Sequence, residues 1–295
     1  MRRWTEAMRA GRHAAAWAMQ MAAIAARDPA TRDDPALPYH LRWAWDGRPF
    51  DGRDVLVRCY HGLGDTLQFA RYLPALAARA RSVTVEAQAR LVPLLAQMAG
   101  MTVVPFDVAR PHRPSDCDIE ITELPLALRL APDAVAMPYL HWPAADLPAG
   151  TIGLCAQAGD WDAERSIPPA LLEPLCAERP CVMLTPGATD LPCLNPQGCP
   201  FDMGATAALV AGVDLVVTVD TMIAHLAGAL GRPTWLLVKA EPDWRWDPAR
   251  RDTPWYPTMR LYPQAARGDW SSVLATVRAD LAASPSRRSL VAWPA

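Results

Sequence analysis

The sequence predicts an α/β protein of two Rossmann-like domains facing across a cleft, preceded by a short helical segment. Three observations carry that prediction. Short β-branched runs alternate with longer helical patterns from residue 48 onward. The alternation halts in a proline-rich stretch at 132–150 and then restarts. In each half, one strand runs straight into a helix through a turn built for close approach by a ligand. Composition permits this, because 295 residues with 51% hydrophobic and 20% charged content supply two cores of ordinary size and exclude bulk disorder. With 29 Lys+Arg against 31 Asp+Glu, a net charge of −2 and no basic block, nucleic acid is excluded as an expected partner.

The elements follow in order. Arg2 and Arg3 precede an apolar run at 14–26 that has the outline of a signal peptide, but Glu6, Arg9, Arg12 and His13 lengthen the polar lead and Gln20 interrupts the run. Trp4, Met8, Trp17, Met21 and Ile24 instead form the stripe of one amphipathic helix. The segment 1–47 therefore reads as helix and loop. Strands are predicted at 54–59, 82–86, 101–104 and 117–122, with helices at 65–80, 91–99 and 125–130 between and after them. These make a first domain at 48–148. The second, 149–284, has strands at 151–156, 181–185, 215–219 and 234–238, and helices at 169–177, 205–211, 221–230 and 270–283. Residues 285–295 read as a loose tail. The seven cysteines show no metal-binding spacing and read as reduced thiols, as in a cytoplasmic protein. No apolar stretch reaches transmembrane length, although a first helix with net charge +4 over residues 1–27 leaves room for peripheral contact with the inner membrane.

Two strand-to-helix junctions could carry chemistry. In the first, His61-Gly62-Leu63-Gly64-Asp65-Thr66, the glycines permit a tight turn, and Asp65 reads equally as an N-cap and as a carboxylate pointing into the cleft to act as general base. The third glycine of a dinucleotide fingerprint is missing. In the second junction, at 219–227, the first turn of a helix offers free N–H groups and its positive dipole end to an anion. There Asp220 serves as a cap or sugar-hydroxyl acceptor, Thr221 donates to phosphate, and His225 is on the same helix face, equally readable as a core histidine. In the 239–258 loop, Asp243, Trp244 and Trp246 form either an aromatic wall for a sugar or ring, or pins that hold the loop to the body. Arg165 is the expected cleft cation of the second half.

Together, the runs at 58–72 (RCYHGLGDTLQFARY), 220–230 (DTMIAHLAGAL), 243–246 (DWRW) and 253–260 (TPWYPTMR) resemble the heptosyltransferase-like glycosyltransferases of family 9, in particular the branch found C-terminal to tetratricopeptide repeats. The likeness extends over about 48–283, with the motifs in the family's order. It implies a GT-B architecture, with an acceptor domain first and a nucleotide-sugar domain second, and an inverting transfer of a heptose-like sugar or hexose from a nucleotide-diphosphate donor to a glycan or glycolipid, as in lipopolysaccharide biosynthesis. By the same resemblance Asp65 is the base; Arg165, Asp220, Thr221, Met222 and His225 hold the donor; Gly62, Gly64, Gln68, Asp243, Trp244 and Trp246 stand at the acceptor or in its loops. No metal or other cofactor is implied, because a helix N-terminus and an arginine suffice to stabilise a departing diphosphate.

The chain departs from that family in three places. Met222 stands where relatives carry Gly or Ala, 155–159 (CAQAG) replaces a Trp-x-Gly turn, and Lys239 occupies an apolar or proline position. These departures leave open an alternative, a non-catalytic nucleotide-sugar or carbohydrate-binding module that acts through protein contacts.

Overall fold

The computed structural model describes residues 2–107, 109–110, 112, 115–159 and 162–283; the expected tail at 285–295 lies outside the described residues. The chain forms two compact units, 1–136 and 137–295.

The first unit opens with two helices, α1 (Arg2–Arg9) and α2 (His13–Ala25), where the sequence predicts one. Gly11 separates them with φ +68°, a conformation that costs glycine little and ends a right-handed helix. A parallel four-stranded sheet follows, built from β1 (Asp54–Arg58), β2 (Ser82–Ala87), β3 (Thr102–Pro105) and β4 (Cys117–Glu120) in the order β3-β2-β1-β4. Its helices are short: α3 (Leu63–Phe69), α4 (Leu73–Ala77), α5 (Val92–Leu95) and α6 (Leu124–Leu128). The helix expected at 65–80 is split because Pro74 has no N–H to continue the ladder, and the turn Ala70–Tyr72 tightens to 3-10 geometry before it. Pro93 likewise confines α5 to a single turn after a 3-10 start at Ala89–Leu91.

Residues 1–47 are not a separate segment. Arg58 of β1 donates to both carboxylate oxygens of Asp33, at 2.6 and 2.9 Å, and to Asp118 of β4. Arg27 donates to the Trp45 carbonyl at 3.2 Å and to Glu123 at 3.4 Å. A buried arginine between two carboxylates holds its partners firmly, because removing either one strands a charge away from water.

The second unit begins at 137, where the sequence places the boundary at 149. The proline-rich stretch is docked on this unit: the amides of Tyr139 and Leu140 reach the Ala229 carbonyl at 3.1 Å, and that of Ala145 reaches Ala208 at 2.8 Å. A Cβ on Gly212 would meet the Ala145 oxygen at 2.5 Å, so the approach demands glycine there. Prolines suit such a strap, which takes its few hydrogen bonds from helix ends and not from a ladder.

The unit's sheet runs β6-β5-β7-β8-β9, all parallel, from β5 (Ile152–Cys155), β6 (Cys181–Met183), β7 (Leu215–Val219), β8 (Thr234–Val238) and β9 (Met259–Pro263). β7 and β8 are buried at every position, as continuous apolar runs in a sheet covered on both faces should be. β9 was not predicted. Its MRLYP run is short, carries Arg260 and ends in proline, features that an edge strand tolerates and a central one does not. The helices are α7 (Glu173–Glu178), α8 (Met203–Gly212), α9 (Met222–Ala229) and α10 (Trp270–Ala283). Leu154, Val217, Leu237, Trp235 and Tyr262 pack with Trp270, Leu274 and Val277 of α10, and each buried side chain of this size contributes roughly 1.5–3 kcal/mol. The chain leaves β5 for β6 on one side and returns to β7 on the other, which puts a topological switch point beside the carboxyl ends of β5 and β7. All seven cysteines are free thiols.

Candidate functional site

In the first unit β1 ends at Arg58 and the chain turns through 59–62 into α3. The N-cap is Gly62, so of the two readings open for Asp65 the N-cap falls away: Asp65 lies in the first helical turn, and its Oδ2 accepts the Gly62 N–H at 3.1 Å. This is the half of a capping box that glycine permits, since glycine has no side chain to complete the other half. A Cβ on Gly62 would sit 3.2 Å from that oxygen, so the second reason for glycine is room. Gln88 clamps the turn, donating to the His61 carbonyl at 2.6 Å and accepting from the Thr66 hydroxyl at 3.1 Å. His61 and Gly62 are exposed, whereas Gly64 and Asp65 are half-buried. Gln68, expected beside an acceptor, is fully enclosed within the body of the unit on the buried stretch 66–69.

Sequence reasoning missed what stands beside this turn. Nε2 of His61 lies 3.1 Å from Oε2 of the buried Glu120, the last residue of β4. That hydrogen bond, working against burial, holds the imidazole pKa above its usual value, with Asp65 and Glu123 adding to the effect. Burial pushes the Glu123 carboxyl up to about 7, opposed by the Arg27 charge. Tyr60 donates its hydroxyl to Glu86 at 2.5 Å, and the other Glu86 oxygen accepts the His112 amide at 2.8 Å. The available signal was positional, since Glu86 and Glu120 lie at the carboxyl ends of parallel strands, where such sheets carry their chemistry.

In the second unit β7 ends at Val219 and α9 begins at Met222, with Thr221 as an extended N-cap whose side chain makes no capping bond. The Ala224 amide bonds to the Thr221 carbonyl, and the amides of Met222 and Ile223 have no hydrogen-bond partner among the described residues. Two unpaired donors at the positive end of a helix are groups that can receive an anion. Arg165, carried by the 3-10 turn Ala163–Arg165, is buried and donates Nη1 to the Asp220 main-chain carbonyl at 2.8 Å. It braces the turn from behind. Burial raises the Asp220 carboxyl pKa, the Asp243 charge raises it further, and the Trp246 indole and the Arg165 and Arg245 charges oppose the rise.

His225 is buried, with Nδ1 2.9 Å from the Tyr256 hydroxyl and its ring stacked on Trp246 at 5.8 Å. Trp246, read as part of an aromatic wall or as a pin, is the pin: it is completely buried. Trp244 stays half-buried, edge-on to Trp255 at 5.6 Å and beneath the Arg245 guanidinium at 4.7 Å. Arg245 also bonds Asp243 at 2.8 Å, so the loop that carries these residues is held by paired charges and ring contacts. A Cβ on Gly228 would lie 2.2 Å from Tyr256 Cδ1, which makes that glycine the seat of the aromatic group. Lys239 is paired with Asp162 at 2.8 Å and stands 3.6 Å from Glu164.

The structure thus gathers Arg165, Asp220, Asp243, Trp246 and His225 around the head of α9, with Thr221 and Met222 half-buried at its tip. Asp65, Gly62 and Gly64 form a separate turn in the first unit. Among the described residues no three His, Cys, Asp or Glu side chains are grouped to hold a metal ion, and no helix is long and apolar enough to cross a membrane.

Comparison with known proteins meets this geometry at its centre. Residues 199–252, which contain β7, α9, β8 and the 243–246 loop, match glycosyltransferase family 9 (heptosyltransferase). This chain is similar to the family 9 glycosyltransferases. Protein FlbA of Caulobacter vibrioides is 37% identical over 89 residues, 28% of this chain and 14% of FlbA, so the match spans about a seventh of that relative's length. The iron-containing dodecameric glycosyltransferase TibC of enterotoxigenic E. coli superposes with a TM-score of 0.57 at 12% identity, covering 77% of this chain and 67% of TibC. The E. coli heptosyltransferase WaaC, solved with ADP, superposes with a TM-score of 0.53 at 12% identity over 80% of this chain and 99% of WaaC. The fold is the GT-B fold of these heptosyltransferases.

Proposed function

We propose that this chain is an inverting, metal-independent glycosyltransferase that moves a heptose-like sugar or a hexose from a nucleotide-diphosphate donor to a glycan or glycolipid acceptor. The observation that carries the reading is the head of α9: two unpaired amides at a helix N-terminus, after an Asp-Thr pair at the end of a central strand, inside the segment that matches family 9. A diphosphate supplies the charge that such a turn receives, and WaaC, of the same fold, is solved with ADP.

In this reading the α9 amides and the Thr221 hydroxyl bind the donor diphosphate, and Arg165, by bracing the Asp220 carbonyl, fixes the turn and adds its positive charge. Asp65 takes the proton from the acceptor hydroxyl. The hydroxyl oxygen forms its bond to the anomeric carbon as the bond to the diphosphate oxygen breaks, and the electron pair departs with the nucleoside diphosphate. The Gly62 amide holds one Asp65 oxygen, which orients the carboxylate. A glycolipid acceptor would bring the basic α1 to the cytoplasmic face of the inner membrane.

The test is turnover by the purified chain with nucleotide-sugar donors, run in EDTA and again with iron or magnesium. Transfer or slow donor hydrolysis in EDTA supports the proposal. Activity only with added metal overturns its metal-independent part. Nucleotide binding without turnover under any condition replaces it with the binding-module reading.

A further inference from the structure

Beyond the α9 turn, the second unit contains a cavity of about 230 Å³ at the carboxyl ends of β8 and β9. Glu164 and Ser166 line it from the turn after β5, Lys239 and Glu241 from the loop after β8, and Gln264 and Arg267 from the loop after β9, with Trp270 of α10 on the wall. That is room enough for a ligand the size of one pyranose.

Three features define its chemistry. Gln264 is buried, and its side-chain carbonyl accepts the amides of Ala240 and Gly268, both at 3.2 Å, which ties two loops together and fixes the orientation of the amide group. Its Nε2 is then a buried donor with no partner among the described residues, a condition that folded proteins seldom leave unmet. The Ser166 oxygen accepts the Ala158 amide at 3.0 Å, leaving its hydroxyl hydrogen to donate. The charges on the wall are balanced: Lys239 and Arg267 face Glu164 and Glu241, with Arg267 bonded to Glu164 and Lys239 held by Asp162 and Glu164. Against burial, which pushes it up, the Lys239 ammonium holds the Asp162 carboxyl below its usual pKa, which favours the carboxylate. A phosphate or a metal cation would find no net opposite charge here. A neutral ligand with many hydroxyls would find an amide donor, a serine hydroxyl, carboxylate acceptors and an aromatic neighbour.

We propose that this cavity is a second ligand site that takes a neutral monosaccharide-sized polyol. The Ala163–Arg165 turn separates it from the α9 site, since Arg165 reaches the Asp220 carbonyl while Glu164 lines the cavity. The site does not depend on the donor reading, because no residue assigned to the diphosphate lines it.

Saturation-transfer NMR on the full chain, titrated with D-mannose, D-glucose and D-galactose and separately with adenosine, tests the proposal. The expected result is saturable binding of at least one sugar with a millimolar Kd, weakened roughly tenfold in Glu241→Ala and in Arg267→Ala, as expected from losing a hydrogen bond to a charged group. Both residues are exposed on the rim, so each variant should melt as the parent does and keep the same thermal shift with nucleoside diphosphates. No saturable signal with any of the three sugars, sugar binding that both variants leave unchanged, or adenosine binding that both variants weaken would each overturn it. The nucleotide shift is read independently, so a failed donor site and a failed sugar site are distinguished.

Discussion

The two units place polar groups at the carboxyl ends of parallel strands in opposite ways. In the first, the strand-to-helix turn is open: His61 and Gly62 are exposed, Asp65 is half-buried, and one amide and one glutamine hold the loop. In the second, Arg165, His225, Trp246 and Tyr256 are buried together, and the head of α9 rests on them. The difference separates two kinds of residue. Substitutions on the open turn should change chemistry with little effect on folding, whereas substitutions behind the α9 turn should cost stability first and binding as a consequence.

The largest expected effect is on the open turn. Asp65→Asn keeps an oxygen for the Gly62 amide and loses only the basic carboxylate, so kcat should fall by roughly 10²–10⁴ with the melting temperature unchanged. Undiminished turnover would remove Asp65 from the role of base. Next comes Glu123, a half-buried group within the first unit whose carboxyl is raised from 4.5 to about 7. A raised acid binds more protons in the folded state than in the unfolded one, so its stabilising effect is full below about pH 4.5 and is lost as pH rises through 7. Glu123→Gln should match the parent at low pH and exceed it above pH 7 by at most about 3 kcal/mol. Urea midpoints that run parallel across this range would contradict the assignment.

Behind the α9 turn the effects are smaller but specific. Gly228→Ala drives a methyl group into Tyr256 and should destabilise the chain by about 1–3 kcal/mol in chemical denaturation, weakening nucleotide binding as the aromatic group shifts. An unchanged midpoint would mean that the packing there is loose. Tyr256→Phe removes only the hydroxyl 2.9 Å from His225 and should cost about 1 kcal/mol, measured the same way. If it instead abolishes turnover at unchanged stability, the buried pair belongs to the chemistry and the contrast between the units fails.

The sequence made some of this legible and hid the rest for identifiable reasons. β7 and β8 announce themselves as runs of LVVTV and TWLLV, since strands buried on both faces need no alternation. The Asp-Thr turn was readable because strand, cap and helix follow one another without a gap. Helix lengths in the first unit were overestimated because an apolar pattern continues through Pro74 and Pro93 while the hydrogen-bond ladder does not. The boundary was misplaced because prolines read as linker, and only the tertiary structure shows 139–145 bonded to helix ends. The His61–Glu120 pair joins residues far apart in sequence, and no local pattern marks it. Gln68 was placed by the family resemblance and Trp246 by its place in an aromatic loop, and neither signal carries burial, which is complete for both.

The central claim is that the head of α9 binds a nucleoside diphosphate, and thermal-shift titration with ADP, GDP, UDP, CDP and dTDP in EDTA tests it most directly, because a ligand bound only by the folded state must raise its stability. The account predicts a rise in melting temperature that is selective for one base and equal in Asp65→Asn, whose substitution lies in the other unit. No shift with any of the five, in EDTA or after adding magnesium or iron, would contradict it.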